Sequence, residues 1–359
     1  MRVRARHSIS PENIDKILVR STNWVGDTVM MLPSLAVVRR AFPHAQITVL
    51  ANPWVVSLLK NHPAVDRIMI IDKGKGLLST CKELARIISE FRREQFDLAV
   101  LFQNAFEAAF LASLGGVRYR VGYNTDGRGL LLTHKVKRDR GILLAHQVEY
   151  FLGIMEAMGW EVEGREPHVY LDDEDVTSAN AVLSSEGIDE NHSVVGINPG
   201  AAYGSAKRWP AGRFAVIGDW ASQRWGAKVV LFGSFSERDI AAHVSKLMHT
   251  DPVDLCGKTT LGEGMALMKR CNFFVTNDSG LMHIAAAFDT PLVVVFGPTD
   301  HVRTSPVSRN ARIVRHSVEC SPCLKVECPS DHRCMLSIEP EEVWDQMESL
   351  KKELKIVTV

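Results

Sequence analysis

The 359-residue chain carries no net charge, because 42 lysines and arginines balance 42 aspartates and glutamates. Binding nucleic acid over a whole surface needs a basic excess, so that class is excluded and any anion site has to be local. Also missing is a run of the ~18–20 apolar residues that a membrane span requires. The basic start of the chain (Arg2, Arg4, Arg6) leads into no apolar core, so a secretory signal is not expected and a cytoplasmic location is. Cysteine is scarce: four of the seven crowd into residues 320–334. That excludes a disulfide framework and points to a metal or to local structure. Internal repeats and low-complexity segments are lacking too. At 46% hydrophobic and 23% charged residues the composition is globular, and the length suggests two domains.

What is present is alternation. Strand-like runs occupy Ile17–Arg20, Ile47–Ala51, Arg67–Ile71 and Leu98–Phe102. A second series covers Val194–Ile197, Lys228–Phe232, Phe273–Thr276, Leu292–Phe296 and Arg312–Val314. Helical stretches such as Ser34–Ala41, Leu78–Glu94, Arg213–Trp225 and Leu281–Phe288 fall between them. This pattern predicts an α/β chain with parallel sheets covered by helices. The series breaks between Tyr170 and His192, where an acidic run (residues 171–175) and a polar helix resemble a linker. Two α/β units, 1–180 and 181–340, follow, with 341–359 as a solvated terminal helix. A cleft between two such units is a natural place for a ligand.

Three strand-to-helix loops stand out. In the first, Gly26 and Asp27 follow the strand at Ile17–Arg20 and lead to Leu32-Pro33, with neither a dinucleotide fingerprint nor a P-loop. Asp27 reads either as a general base or as the cap of the following helix. In the second, Gly200 and Ala201 lead to Lys207-Arg208-Trp209-Pro210. Glycine lets backbone N–H groups approach an anion and Lys207 neutralises it, or else Trp209 and Pro210 simply fix the start of a helix. The third runs Asp278-Ser279-Gly280-Leu281-Met282-His283 into a helix whose free N–H groups suit a diphosphate. Asp278 and Ser279 serve equally well as plain caps, and His283 as a core histidine.

Weaker signals surround these. Glu237, after the strand Lys228–Phe232, suits ribose hydroxyls. Residues 117–141 hold seven cations, including Arg118, Arg120 and Arg128, against Asp126 and Asp139, a surplus of five. Such a run is a solvated face or a surface for an anionic acceptor or lipid. Cys320, Cys323, Cys328 and Cys334 have a spacing compact enough for a structural zinc, or they are reduced thiols in a loop.

Taken in order, the Gly26-Asp27 loop, the Gly200 to Pro210 loop and the Asp278 to His283 loop resemble glycosyltransferase family 9, the heptosyltransferases of lipopolysaccharide core assembly. The resemblance implies a GT-B fold, two Rossmann-like domains with parallel sheets facing across a cleft, the terminal helix crossing back to the first. It implies inverting, metal-independent transfer of heptose from ADP-heptose to the heptose of the Kdo–lipid A core, with no nucleic acid involved and peripheral contact with the inner membrane. Carried over by position, Asp27 is the general base and Lys207 the cation on the departing diphosphate. The Ser279, Gly280, Leu281 and Met282 backbone then holds phosphate oxygens, and Asp278 sits near sugar hydroxyls. Gly26, Arg118 and Arg120 face the acidic acceptor. The alternatives are another GT-B protein, either a transferase for a different nucleotide sugar or a sugar-nucleotide epimerase, and a non-catalytic nucleotide-binding protein.

Overall fold

The computed structural model describes residues 2–5 and 9–356, which form two compact units, Met1–Tyr170 and Leu171–Val359. The first is built on strands β1 (Arg2–Ala5), β2 (Lys16–Arg20), β3 (Gln46–Ala51), β4 (Arg67–Ile70), β5 (Leu98–Leu101), β6 (Tyr119–Tyr123) and β7 (His134–Lys137). They lie in the order β1-β7-β6-β5-β2-β3-β4, all parallel except β1, which pairs antiparallel with β7. The second sheet holds β8 (Val194–Asn198), β9 (Lys228–Leu231), β10 (Val253–Asp254), β11 (Phe273–Asn277), β12 (Leu292–Val295) and β13 (Ala311–Val314). Its order is β10-β9-β8-β11-β12-β13, parallel throughout.

Both parallel sheets follow the doubly wound order 3-2-1-4-5-6 of a Rossmann fold, β1 being an added edge. The order reverses between β2 and β5 in the first unit and between β8 and β11 in the second. Ligands of such sheets bind outside the carboxyl ends of the strands at that reversal. The strands there are buried on both faces, so they read as continuous apolar runs rather than alternating ones.

Each unit has its own core. Leu18, Leu50, Ile87, Phe91, Phe96 and Leu101 centre the first, and Trp209, Phe214, Trp225, Phe273 and Trp344 the second. Three expectations change here. The acidic linker is helical from Asp173 to Ser185 and packs on the helix Leu261–Arg270, so the boundary falls after Tyr170 rather than 180. The helix Pro340–Glu353 buries Val343, Trp344, Met347 and Leu350 in the second core, against Ala211–Trp225. Its apolar face is therefore used within its own unit and is not solvated. Finally, the helix expected from Ser34 begins at Val25 and runs through Pro33 to Ala41.

Candidate functional site

At the reversal in the first sheet, β2 ends in the buried Arg20. Its guanidinium donates to the carbonyls of Ser21 (3.0 Å) and Leu50 (3.2 Å) and to Asn23 Oδ1 (3.0 Å). Asn23 also accepts from Asn52 Nδ2 at its side chain (2.9 Å) and from Trp54 Nε1 at its carbonyl (2.7 Å). Burial pulls the Arg20 pKa down to about 10, with Glu107 acting the other way. This net of neutral acceptors fixes the loop that delivers the helix Val25–Ala41. Trp24 occupies the cap position, and Asp27, half-buried, is the third residue of the helix, after Gly26. Asp27 is therefore not the cap that the sequence offered as its alternative role. A carboxylate in a first helical turn is favoured by the helix dipole.

The second reversal gathers more of the expected residues. Lys207 Nζ lies 2.7 Å from Asp278 Oδ2, and both side chains are largely buried. Thr299 Oγ1 donates to the same oxygen (2.6 Å), and Lys207 also sits 5.0 Å from the centre of the Tyr203 ring. Asn198, the last residue of β8, donates to Thr276 Oγ1 (3.1 Å) and Ser279 Oγ (2.9 Å) and accepts from the Gly200 amide (3.2 Å). Asn277 accepts from the Trp209 amide (2.9 Å) and donates to the carbonyls of Pro199 (2.9 Å) and Gly200 (3.2 Å). Polar residues at the ends of two apolar strands thus clamp the Lys207 loop to the Asp278 loop.

Ser279 caps the helix Gly280–Ala287 by accepting from the Met282 amide. The amides of Gly280 and Leu281 belong to a first turn, which has no intrahelical acceptor for them. A lysine with three donors, one of them used by Asp278, beside such a helix end is an arrangement that holds a diphosphate. His283 is buried within this helix. Glu237 is buried too, and Ser234 donates to its Oε2 from both amide (2.8 Å) and hydroxyl (2.7 Å). A Cβ on Gly200 would lie 2.2 Å from Glu237 Oε1, so only glycine lets these two loops approach. Ala201 is buried next to it.

Arg118 and Arg120 are not brought to Asp27. Parallel pairing sets Tyr119 level with Leu98 and Leu98 level with Ile17, so both arginines lie toward the amino-terminal edge of the sheet. The Asp27 loop leaves the opposite edge, beyond Arg20, some five residues or about 16 Å along the strands from the level of Arg118. Arg120 donates to the carbonyls of Leu131 (2.6 Å) and Val117, and burial lowers its pKa. Arg118 is exposed beside the Tyr119 ring, 4.9 Å from its centre. The basic run is in fact two strands, β6 and β7, and its Arg128 is fully buried.

The cysteine-rich segment braces the Lys207 loop. Tyr203 Oη donates to the Leu324 carbonyl (2.9 Å), the Ala206 amide to Val326 (3.0 Å), and His332 Nε2 to the Ala206 carbonyl (2.7 Å). Gly204, at φ +159°, passes so close to Val326 that a Cβ would meet its carbonyl at 2.2 Å. Among the described residues no three His, Cys, Asp or Glu side chains converge as metal ligands. Cys334 points into the second core while Cys320 is exposed. Burial, and after it the neighbouring cysteines, push the Cys334 thiol up to about 11.

Sequence reasoning assigned no role to Arg20, Asn23, Asn198, Asn277, Thr299 and His332. All but two share one signal, a polar side chain at or just past the end of an apolar strand.

A family model described as glycosyltransferase family 9 (heptosyltransferase) matches residues 84–333. Lipopolysaccharide heptosyltransferase 2 of Salmonella typhimurium is 30% identical over 351 residues, covering 94% of this chain and 99% of that protein. Among solved structures, a family 9 glycosyltransferase from Veillonella parvula superposes with a TM-score of 0.82 at 26% identity, covering 94% of this chain and 97% of that one. The E. coli ADP-heptose lipopolysaccharide heptosyltransferase II gives 0.80, also at 26%, covering 95% and 100%.

Proposed function

The chain belongs to glycosyltransferase family 9, with the GT-B fold of its heptosyltransferases, and from that premise we propose that it transfers L-glycero-D-manno-heptose from ADP-heptose to the first heptose of the lipopolysaccharide inner core. The observation that carries this reading is the Lys207–Asp278 pair beside the helix that begins at Gly280. The acceptor hydroxyl oxygen attacks the anomeric carbon as the bond to the diphosphate oxygen breaks. Its proton passes to Asp27, and ADP leaves with the bonding electrons. Configuration inverts because attack and departure occur on opposite faces. Lys207 and the Gly280 and Leu281 amides supply the positive field that the leaving diphosphate needs, so the transfer runs without a metal ion. Asp278 holds Lys207 in place and reaches toward sugar hydroxyls. The enzyme works on its lipid-linked acceptor at the cytoplasmic face of the inner membrane.

An assay with ADP-heptose and a panel of truncated lipopolysaccharide cores tests this. Turnover is expected only on cores that end in the first heptose. Asp27→Ala should lower kcat about 10²–10⁴-fold with ADP-heptose affinity kept. Lys207→Ala should lower it about 10²–10³-fold. Asp27→Ala with wild-type turnover removes that residue from the mechanism, and a chain inert with ADP-heptose on every core overturns the reading.

A further inference from the structure

Strands β2 to β6 run parallel, so the loops after β4, β5 and β6 emerge at the same end of the first sheet as the Asp27 loop. These loops carry large apolar side chains into solvent. Leu77 and Leu78 open the helix Leu77–Glu94 after β4 and are 78% and 87% exposed. Phe106, Phe110 and Leu114 are also exposed, at i, i+4 and i+8 of the helix Phe106–Leu114 after β5. That spacing makes one stripe, and its two phenylalanine rings stack at 5.9 Å. Leu130, 92% exposed, tips the turn Arg128–Leu130 after β6, which packs against the same helix. Lys73 Nζ bonds Glu107 Oε2 (2.7 Å), tying the loop before Leu77 to the residue beside Phe106.

Leu114 closes that helix toward the other edge of the sheet, but Leu77, Leu78, Phe106, Phe110 and Leu130 lie along adjoining elements toward one end and form a patch, where scattered exposed leucines would be ordinary. With the enclosed Arg128 left out, segments 71–82, 106–114, 124–130 and 137–144 hold six basic against four acidic residues, a surplus of two in a chain whose total is zero. A second copy of this chain would bring that surplus against itself. An anionic bilayer answers both features, since protruding leucines and phenylalanines enter the headgroup boundary while lysines meet lipid phosphates.

We propose that this end of the first unit docks on an anionic phospholipid surface, with Leu77, Leu78, Leu130, Phe106 and Phe110 inserted. The proposal deepens the functional reading above and rests on it for the lipid-linked acceptor. It predicts that the same end presents Asp27 to that acceptor.

Co-sedimentation of the full chain with vesicles of three parts phosphatidylcholine to one part phosphatidylglycerol tests it, with neither sugar donor nor acceptor present. Binding is expected to the mixed vesicles and to be much weaker with phosphatidylcholine alone. The double variant Leu77→Asp, Leu78→Asp should bind at least about tenfold more weakly, and Lys75→Ala about fivefold. Both should keep the wild-type melting temperature and transfer to a deacylated, water-soluble core at the wild-type rate. Equal binding by wild type and double variant overturns the proposal, as does no binding by wild type. So does a wild-type dimer that the double variant disperses, which would give the face to a second copy. Vesicle binding without transfer to any core would instead bring down the functional reading and leave the docking surface standing.

Discussion

Arg128 shows what a single residue can hide in a charge run. Its guanidinium is fully enclosed and donates to the carbonyls of Tyr123 (2.8 Å) and Gln103 and to Asn104 Oδ1 (2.9 Å), with no carboxylate among them. Burial holds its pKa at about 10. Gly122 lets the cation lie close against the strand, since a Cβ there would stand 3.1 Å from Nη2. An enclosed cation bound by neutral acceptors ties the turn after β6 to the loop after β5. Arg128→Met should therefore lower stability by about 2–4 kcal/mol in urea unfolding, because the carbonyls lose their donors. Arg128→Lys should recover little, as an ammonium cannot span the same fork of acceptors. In sequence this residue looked like its neighbours Lys137 and Arg140, which are exposed. Charge patterning records where cations fall along the chain and carries no information on which of them the fold encloses.

Among the elements, the cysteine-rich segment acts as a strap across the Lys207 loop. Three hydrogen bonds and the Gly204–Val326 contact hold residues 203–206 just before Lys207. Thiol spacing suggested the metal because ligand spacing is a local property. The strap was illegible because backbone bonds more than a hundred residues apart leave no mark in composition. Helix limits show the same division. Ser34 looked like a helix start and Asp27 like a cap, yet the helix begins at Val25 on a backbone already fixed by Arg20 and Asn23. Removing one strand of the strap should loosen Lys207 without touching it. His332→Ala should lower kcat about tenfold with KM for ADP-heptose within a factor of about two, a loss of roughly 1.4 kcal/mol in the transition state. His332→Gln keeps an N–H donor for the Ala206 carbonyl and should restore most of the rate. A variant that melts earlier but turns over normally would make the strap merely structural.

At the scale of the molecule, the architecture was the most legible part, since buried parallel strands announce themselves as apolar runs and the three site loops follow such runs directly. Two inner strands were not legible: β6 and β7 carry Arg120, His134, Lys135 and Lys137, whose charges masked their alternation. Stability over pH depends on groups the motifs never touched. His62 is buried in the first unit, its Nδ1 accepts from the Ala64 amide (3.1 Å), and it meets the Tyr170 ring edge-on at 5.3 Å. Burial, and secondarily His168, lower its pKa from 6.5 to about 4. In the folded chain this imidazole is neutral where the unfolded chain would already have bound a proton. The unfolded state therefore gains protons first as pH falls from about 6.5, and folding stability drops until about pH 4, where the folded form titrates too. Between pH 8 and pH 5 the loss from this one group is about 2 kcal/mol. His62→Asn keeps an acceptor for Ala64 and cannot titrate, so its urea midpoint should be lower at pH 8 but should fall less on going to pH 5. Equal acid sensitivity in the two proteins would place the titrating group elsewhere.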